Sequence, residues 1–228
     1  MRRSAKRPRF IAALLLVALA LPFALPWAQQ EISIQLSERA LAGAARKYGP
    51  PARLRLSAWL KLMSDNGTKS ETDKLTLVNA FFNQIPWVSD PEHWSKNDYW
   101  ATPTEMLASN GGDCEDFSIG KYFTLIAMGV QMDKLRITYV KARDPNPINQ
   151  AHMVLTYYPQ ADAVPLVLDN LIPEIRPATQ RPDLTPVYAF NGDGLWIAKE
   201  RSYGRVSNGP GNISLWRDMM ARLGKEFE

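Results

Sequence analysis

The residue best suited to chemistry in this chain is its single cysteine, Cys114, which lies in the segment GGDCED at residues 111–116. An apolar run over residues 117–130 follows and predicts a helix, so the thiol lies close to a helix N-terminus. The positive end of a helix dipole lowers the pKa of a nearby thiol and favours the nucleophilic thiolate. A buried structural cysteine is the alternative, because free cysteine is among the most buried residue types.

A nucleophilic cysteine needs a general base, and the chain has two histidines, His93 and His152. His93 lies in a loop rich in aromatic residues, whereas His152 opens a strand-like segment and Asp169 ends the next one. Side chains at the ends of adjacent strands can face the N-terminus of a helix that packs on the sheet. We therefore predict that Cys114, His152 and Asp169 come together as nucleophile, base and orienting group. Considered alone, His152 could be a structural histidine, and Asp169 could belong to a turn.

Three carboxylates, Asp113, Glu115 and Asp116, lie next to the cysteine in sequence. Their negative charge raises the pKa of a thiol and so opposes the helix dipole. One interpretation is that they are ordinary acidic residues at a helix start, where they stabilise the dipole. The other is that they bind a hard cation, for which carboxylates with backbone carbonyls and water suit Ca²⁺.

The surrounding elements follow from the apolar spacing. Helical spacing predicts helices at residues 38–48, 52–64 and 70–83 and, at the C-terminus, at residues 213–223. Strand-like segments occupy residues 135–140, 152–158, 165–168, 187–190 and 195–198, and the NGDG of residues 191–194 predicts a hairpin. Helices followed by an antiparallel sheet indicate an α+β domain. The loop at residues 85–103 carries Trp94, Tyr99 and Trp100, which either line a groove or pack inside.

The first 28 residues are treated separately, because a basic segment is followed there by an apolar run at residues 10–25. This pattern predicts a signal peptide, although Pro26 makes the cleavage motif imperfect and leaves an uncleaved anchor as the alternative. The leader holds five of the 27 Lys and Arg residues, so the remaining 22 face 23 Asp and Glu. The mature domain at residues 29–228 is therefore close to neutral, and nucleic-acid binding has no support from its composition. A lone cysteine in an exported protein also favours a thiol kept for chemistry.

Four motifs carry a resemblance to a known family: DYWATPxE at residues 98–105, GDCED at 112–116, HMVL at 152–155 and VLDN at 167–170. In this order they closely resemble the bacterial transglutaminase-like cysteine proteinases, the periplasmic LapG-type adhesin proteases. The resemblance runs from about residue 78 to residue 191. It implies a papain- or transglutaminase-like core in which N-terminal helices, including the cysteine-bearing one, pack on an antiparallel sheet.

The resemblance also implies roles. Cys114 is then the nucleophile, His152 the base and Asp169 its orienting partner, while Asp113, Glu115 and Asp116 are calcium ligands. Such enzymes cleave the N-terminal region of a large secreted adhesin and so control biofilm attachment, and an inner-membrane cyclic-di-GMP receptor inhibits them. We therefore expect a periplasmic Ca²⁺-dependent endopeptidase.

Two other functions remain open from the residues. A transamidase of the same fold would crosslink proteins, since an acyl-enzyme accepts an amine as well as water. A non-enzymatic calcium-binding adaptor in the periplasm would not need Cys114.

Overall fold

The change from helical to strand-like apolar spacing near residue 135 corresponds to a change of architecture in the computed structural model. The structure describes residues 34–143, 149–199, 202–207, 209–211 and 213–226. Its helices are α1 (Glu38–Tyr48), α2 (Pro50–Asn66), α3 (Glu71–Phe82), α4 (Asp90–His93), α5 (Pro103–Ser109), α6 (Cys114–Ala127) and α7 (Ser214–Glu226). Its strands are β1 (Leu135–Arg143), β2 (Asn149–Tyr157), β3 (Leu166–Leu168), β4 (Arg176–Pro177), β5 (Leu184–Phe190), β6 (Leu195–Lys199) and β7 (Ser202–Ser207).

The seven described strands form one sheet in the order β4-β3-β2-β1-β5-β6-β7, and every neighbouring pair is antiparallel. The long strands β1 and β2 pair along their whole length, with His152 opposite Val140. The β5–β6 turn is closed by a hydrogen bond of 3.1 Å from the Asn191 N–H to the Gly194 carbonyl, which confirms the predicted hairpin. β2 thus lies near the middle of the sheet, with β3 beside it.

Helix α6 is the central helix because it is apolar on almost every side, and residues 116–126 are all buried. Alternate side chains of the strands, among them Met153 and Leu155 of β2, belong to the same apolar core as α6. On the other face of the sheet, Val140, Val154 and Val167 form a separate small cluster. The helical layer therefore packs on one face of the sheet and carries the start of α6 to the site.

Helices α3 and α6 approach closely at Gly120. A Cβ atom on Gly120 would lie 2.3 Å from the Phe82 ring, so only glycine fits there without rearrangement. This close packing brings Asn83, which follows the last residue of α3, towards the end of β3, where its Nδ2 donates to the Asp169 carbonyl over 2.8 Å.

The α+β fold with a cysteine-bearing helix packed on an antiparallel sheet is confirmed. The helix begins at Cys114 itself, three residues before the start of the apolar run that predicted it. The sequence analysis did not predict α4, β4 or β7, which are short or lack an apolar alternation. The leader and its boundary at residue 28 lie outside the described residues, so both stay predictions. No helix in the described ranges combines the length and the apolar character needed to cross a membrane.

Candidate active site

Cys114 is the first residue of α6, and a hydrogen-bond network fixes that helix start. Asp116 accepts the N–H of Asp113 over 3.3 Å, which forms part of a capping box, and its other oxygen accepts the N–H of Ala101 over 2.7 Å. A Cβ on Gly112 would lie 2.6 Å from the Asp116 carboxylate, which accounts for glycine at that position. Asp116 therefore holds the entry to the helix and ties it to the preceding loop.

The Cys114 thiol has an acidic environment. Its Sγ donates to Glu115 Oε2 over 2.9 Å. Burial raises the pKa of Cys114, as do the charges of Glu115 and Asp113, while the N–H of Met153 facing the sulfur acts in the opposite direction. The dipole effect inferred from the sequence is thus outweighed by burial and by the neighbouring carboxylates. Because Met153 follows His152 in β2, the sulfur lies against the strand that carries the histidine.

His152, the fourth residue of β2, and Asp169, which directly follows β3, form a buried pair. The strand predicted to open at His152 thus begins three residues earlier, at Asn149. His152 Nε2 lies 2.8 Å from Asp169 Oδ1, and the two side chains are 6% and 0% exposed. Burial alone would raise the pKa of Asp169, but His152, the Leu171 N–H and Arg181 together lower it to about 2. A carboxylate with this pKa is an acceptor, so Nε2 carries the proton and Nδ1 is left free to act as a base.

Arg181, which the sequence analysis did not select, supports Asp169 from the other side. Its Nη2 donates to Asp169 Oδ2 over 2.7 Å and also contacts Asp183 over 2.7 Å, and its side chain is 3% exposed. Arg181 lies outside the motifs in sequence and gives no periodic signal. The second histidine, His93, bonds a different residue, with its Nε2 2.7 Å from Ser109 Oγ. Its ring packs against Gly111, where a Cβ would lie 2.8 Å from the ring.

A cluster of carboxylates lies beside the cysteine. Asp90, Asp113 and Asp116 can place ligand oxygens within 4.8 Å of one another, and so can Asp90, Asp98 and Glu115. The two sets share Asp90, so the acids surround a common region next to Cys114. Asp90 begins α4 and Asp98 follows it, so a loop and a helix start jointly supply the cluster.

Unpaired buried oxygens and raised carboxyl pKa values both indicate that these residues fit a hard cation. Asp90 Oδ1 and Asp113 Oδ1 are buried and have no hydrogen-bond partner among the described atoms. Burial and the charge of Glu115 raise the pKa of Asp90 to about 6 and that of Asp113 to about 10. An oxygen-only donor set with these unpaired atoms is the chemistry that Ca²⁺ prefers. The sequence-predicted Asp113, Glu115 and Asp116 all lie in this cluster. Both oxygens of Asp116 also accept backbone N–H groups.

A family model described as bacterial transglutaminase-like cysteine proteinase matches residues 61–184, more than half of the chain. The chain belongs to the bacterial transglutaminase-like cysteine proteinases. It is therefore a cysteine protease.

Solved structures of LapG from Legionella pneumophila are similar to the proteinase. An EGTA-treated LapG gives a TM-score of 0.72 at 42% identity, with 84% of this chain and 100% of that chain covered. A calcium-bound LapG gives 0.69 at 43% identity, with 81% and 98% covered. Among curated protein sequences none matches significantly.

The aromatic residues of the loop before α5 separate into two groups in the proteinase. Trp100 is buried and stacks on Phe190 at 5.8 Å, and Trp94 lies 4.9 Å from Tyr99, so these three pack within the fold. Trp87 instead is 59% exposed, and its backbone forms a β-bridge with Gly112, two residues before Cys114. Trp87 therefore offers an exposed aromatic surface on the segment that is bridged to the residues before Cys114. It was not selected from the sequence.

Proposed function

We propose that this proteinase is a periplasmic, calcium-dependent endopeptidase that cleaves the N-terminal region of a large surface adhesin and so controls biofilm attachment. The observation that carries the proposal is the buried His152–Asp169 pair at 2.8 Å, on the strand whose Met153 N–H faces the sulfur of Cys114. A sole cysteine beside the strand that carries an oriented imidazole supports nucleophilic thiol catalysis.

The chemistry assigns a role to each member of the triad. Cys114 Sγ attacks the peptide carbonyl as His152 Nδ1 takes the thiol proton, and Asp169 holds the ring through Nε2. The imidazolium then gives that proton to the leaving amine, which departs as a new N-terminus and leaves a thioester on Cys114. Water, deprotonated by His152, cleaves the thioester, releases the new carboxylate and restores the thiol. We expect backbone N–H groups at the start of α6 to stabilise the oxyanion that develops.

Calcium fits the carboxylate cluster formed by Asp90, Asp98, Asp113, Glu115 and Asp116. A bound Ca²⁺ supplies positive charge that neutralises these acids and stabilises the loop that bears two of them. Glu115 is also the acceptor of the Cys114 thiol, so the cluster and the nucleophile share a residue. The calcium-bound state of LapG, a relative at 43% identity, supports this assignment.

The location and partners of the protein rest on the family resemblance and on the leader. The basic and apolar segment over residues 1–28 supports export, either as a cleaved signal peptide or as an inner-membrane tether. The family supports a large secreted adhesin as substrate and an inner-membrane cyclic-di-GMP receptor as inhibitor. The exposed Trp87 beside the cysteine gives the substrate peptide an apolar surface on which to bind.

The test uses the purified protein and the N-terminal fragment of a large adhesin from the same cell, in calcium or in EGTA. We expect the fragment to be cut in calcium only, and not by Cys114→Ala or His152→Ala. His93→Gln is the matched control and should retain cleavage, because His93 bonds Ser109 and not Asp169. Mass spectrometry of the products identifies the cleaved bond.

Each other result has its own meaning. Cleavage that persists in EGTA would remove calcium dependence and leave the acids as supports of the helix start. Isopeptide-linked products in place of fragments would favour the transamidase. Intact fragment under every condition, together with tight binding that survives Cys114→Ala, would favour the adaptor.

A further inference from the structure

Helix α6 carries a second polar side chain towards the proposed triad. Lys121 follows Cys114 by two helical turns, and its side chain is among the most completely buried in the described chain, at 1% exposure. Its Nζ donates to the main-chain carbonyl of Asp169 over 3.1 Å. Leucine or methionine would fill such a core position without burying an ammonium group, which is costly.

The same carbonyl oxygen receives a second donor. Asn83 Nδ2, at the end of α3, donates to the Asp169 carbonyl over 2.8 Å. The carboxylate of Asp169 is held separately by His152, Arg181 and the Leu171 N–H. The two helix residues therefore fix the backbone of Asp169, while the other groups fix its side chain.

This arrangement connects two parts of the site that belong to different layers. The nucleophile begins a helix, whereas His152 lies within β2 and Asp169 directly follows β3. We propose that Lys121, with Asn83, is a positioning residue that sets the distance and angle between the His152–Asp169 pair and the helix bearing Cys114. The inference rests on the proposed roles of these three residues.

The electrostatics agree with a role in the site. Burial lowers the pKa of Lys121 to about 7, while the charge of Asp169 acts in the opposite direction. The side chains that contact the Asp169 carboxylate are His152 and Arg181, and Asp183 adds a nearby negative charge. Burial of the Lys121 amine is therefore unfavourable for stability. Its structural contribution is the hydrogen bond to the main-chain carbonyl of Asp169.

The experiment compares the full protein with Lys121→Met, Lys121→Arg and the control Lys74→Met. Lys74 is a buried lysine of α3, and its charge acts on Glu71 rather than on Asp169. Two readouts need no substrate. One is the imidazole ¹⁵N–¹H NMR spectrum, simple because the chain has two histidines, in which His152 Nε2–H reports its bond to Asp169. The other is the rate at which iodoacetamide alkylates Cys114, the single cysteine.

We expect Lys121→Met to fold with a melting temperature equal to or above that of the wild type, since it removes a buried charge. It should nevertheless broaden the His152 Nε2–H resonance and slow alkylation about tenfold, the effect of losing one buried hydrogen bond. Lys121→Arg should restore part of the rate, and Lys74→Met should change neither readout.

The proposal is overturned if Lys121→Met retains both the His152 resonance and the alkylation rate, whatever its stability. If that variant does not fold, Asn83→Ala replaces it and must slow alkylation and disturb the same resonance. These readouts are independent of any adhesin, so failure to find a substrate affects the proposed function and not this inference.

Discussion

Replacement of Arg181 by methionine tests how the proposed base is oriented. The guanidinium contacts Asp169 Oδ2 at 2.7 Å, and the two side chains are 3% and 0% exposed. Methionine is similar in length but donates no hydrogen bond, so Asp169 would keep a buried charge with only His152 and the Leu171 N–H. Asp183, the second partner of Arg181, is 40% exposed and can be solvated instead.

The magnitude follows from this burial. Removal of one partner from a buried ion pair costs about 3–5 kcal/mol, because the other charge remains uncompensated. For a chain of this size that is a fall of roughly 10 °C in melting temperature. The pKa of Asp169 is about 2 in the folded protein against 3.8 ordinarily, so its contribution to stability is present above pH 3.8 and is lost as the pH falls towards 2. In the variant the folded-state pKa rises, so this contribution is smaller and is lost at a higher pH.

Urea unfolding followed by circular dichroism between pH 3 and pH 7 measures both effects. Arg176→Met is the control, since Arg176 and Glu174 form a surface pair at 3.6 Å with both side chains about half exposed. Removing that pair should cost less than about 1 kcal/mol. If Arg181→Met lost no more stability than the control and showed the same acid midpoint as the wild type, Arg181 would not be what holds Asp169.

Three further predictions concern the cation, the substrate and the helix packing. Asp90→Asn should weaken calcium binding about tenfold or more in isothermal titration calorimetry, because it removes a charged ligand; unchanged affinity would place the cation elsewhere. Trp87→Ala should raise KM for the adhesin fragment with little change in kcat, whereas Leu54→Ala, equally apolar and 70% exposed on α2, should change neither. Gly120→Ala places a Cβ 2.3 Å from a ring and should cost more than about 2 kcal/mol in urea unfolding, while Gly43→Ala, with 3.7 Å of clearance, should cost nothing. Equal stability of the two alanine variants would contradict the close approach of the helices.

The elements that local sequence determines were predictable. The helix at Glu38–Tyr48 has the predicted bounds, and its neighbours differ by one or two residues at each end, because caps and apolar periodicity are local signals. The β5–β6 hairpin was predictable for the same reason, since its turn sequence is short and distinctive. Strand β4 is two residues long and exists only because β3 pairs with it, so no local pattern announces it.

In the site as well, residues with a local sequence signal were predictable, and residues whose role depends on tertiary contacts were not. The motifs around Cys114 and Asp169 were recognisable because Cys114 begins a helix and Asp169 directly follows a strand. His152 was selected because the chain has two histidines and this one adjoins an apolar, strand-like run, although it lies three residues inside β2. Arg181 and Lys121 were not, since an arginine in a loop and a lysine on an apolar helix acquire their significance from tertiary contacts.

The carboxylate cluster shows the same limit. Asp113 and Glu115 were selected because they adjoin the cysteine in sequence. Asp90 was missed because the fold, and not the spacing, brings it to them. Asp98 lies inside the DYWATPxE motif, but nothing in the sequence indicated that its carboxylate lies near Asp90 and Glu115.

The C-terminal helix α7 supports a segment that comes much earlier in the chain. Arg222 of this helix donates to the carbonyl of Trp100 and contacts Glu105 at 3.3 Å, so it anchors the segment that leads from Asp98 into α5. Translation proceeds from the N-terminus, and every residue of the proposed triad leaves the ribosome before Arg222 does. The growing polypeptide therefore contains all its reactive groups before their surroundings are locked. We expect a chain that ends before α7 to lack this anchor on the segment that leads into α5.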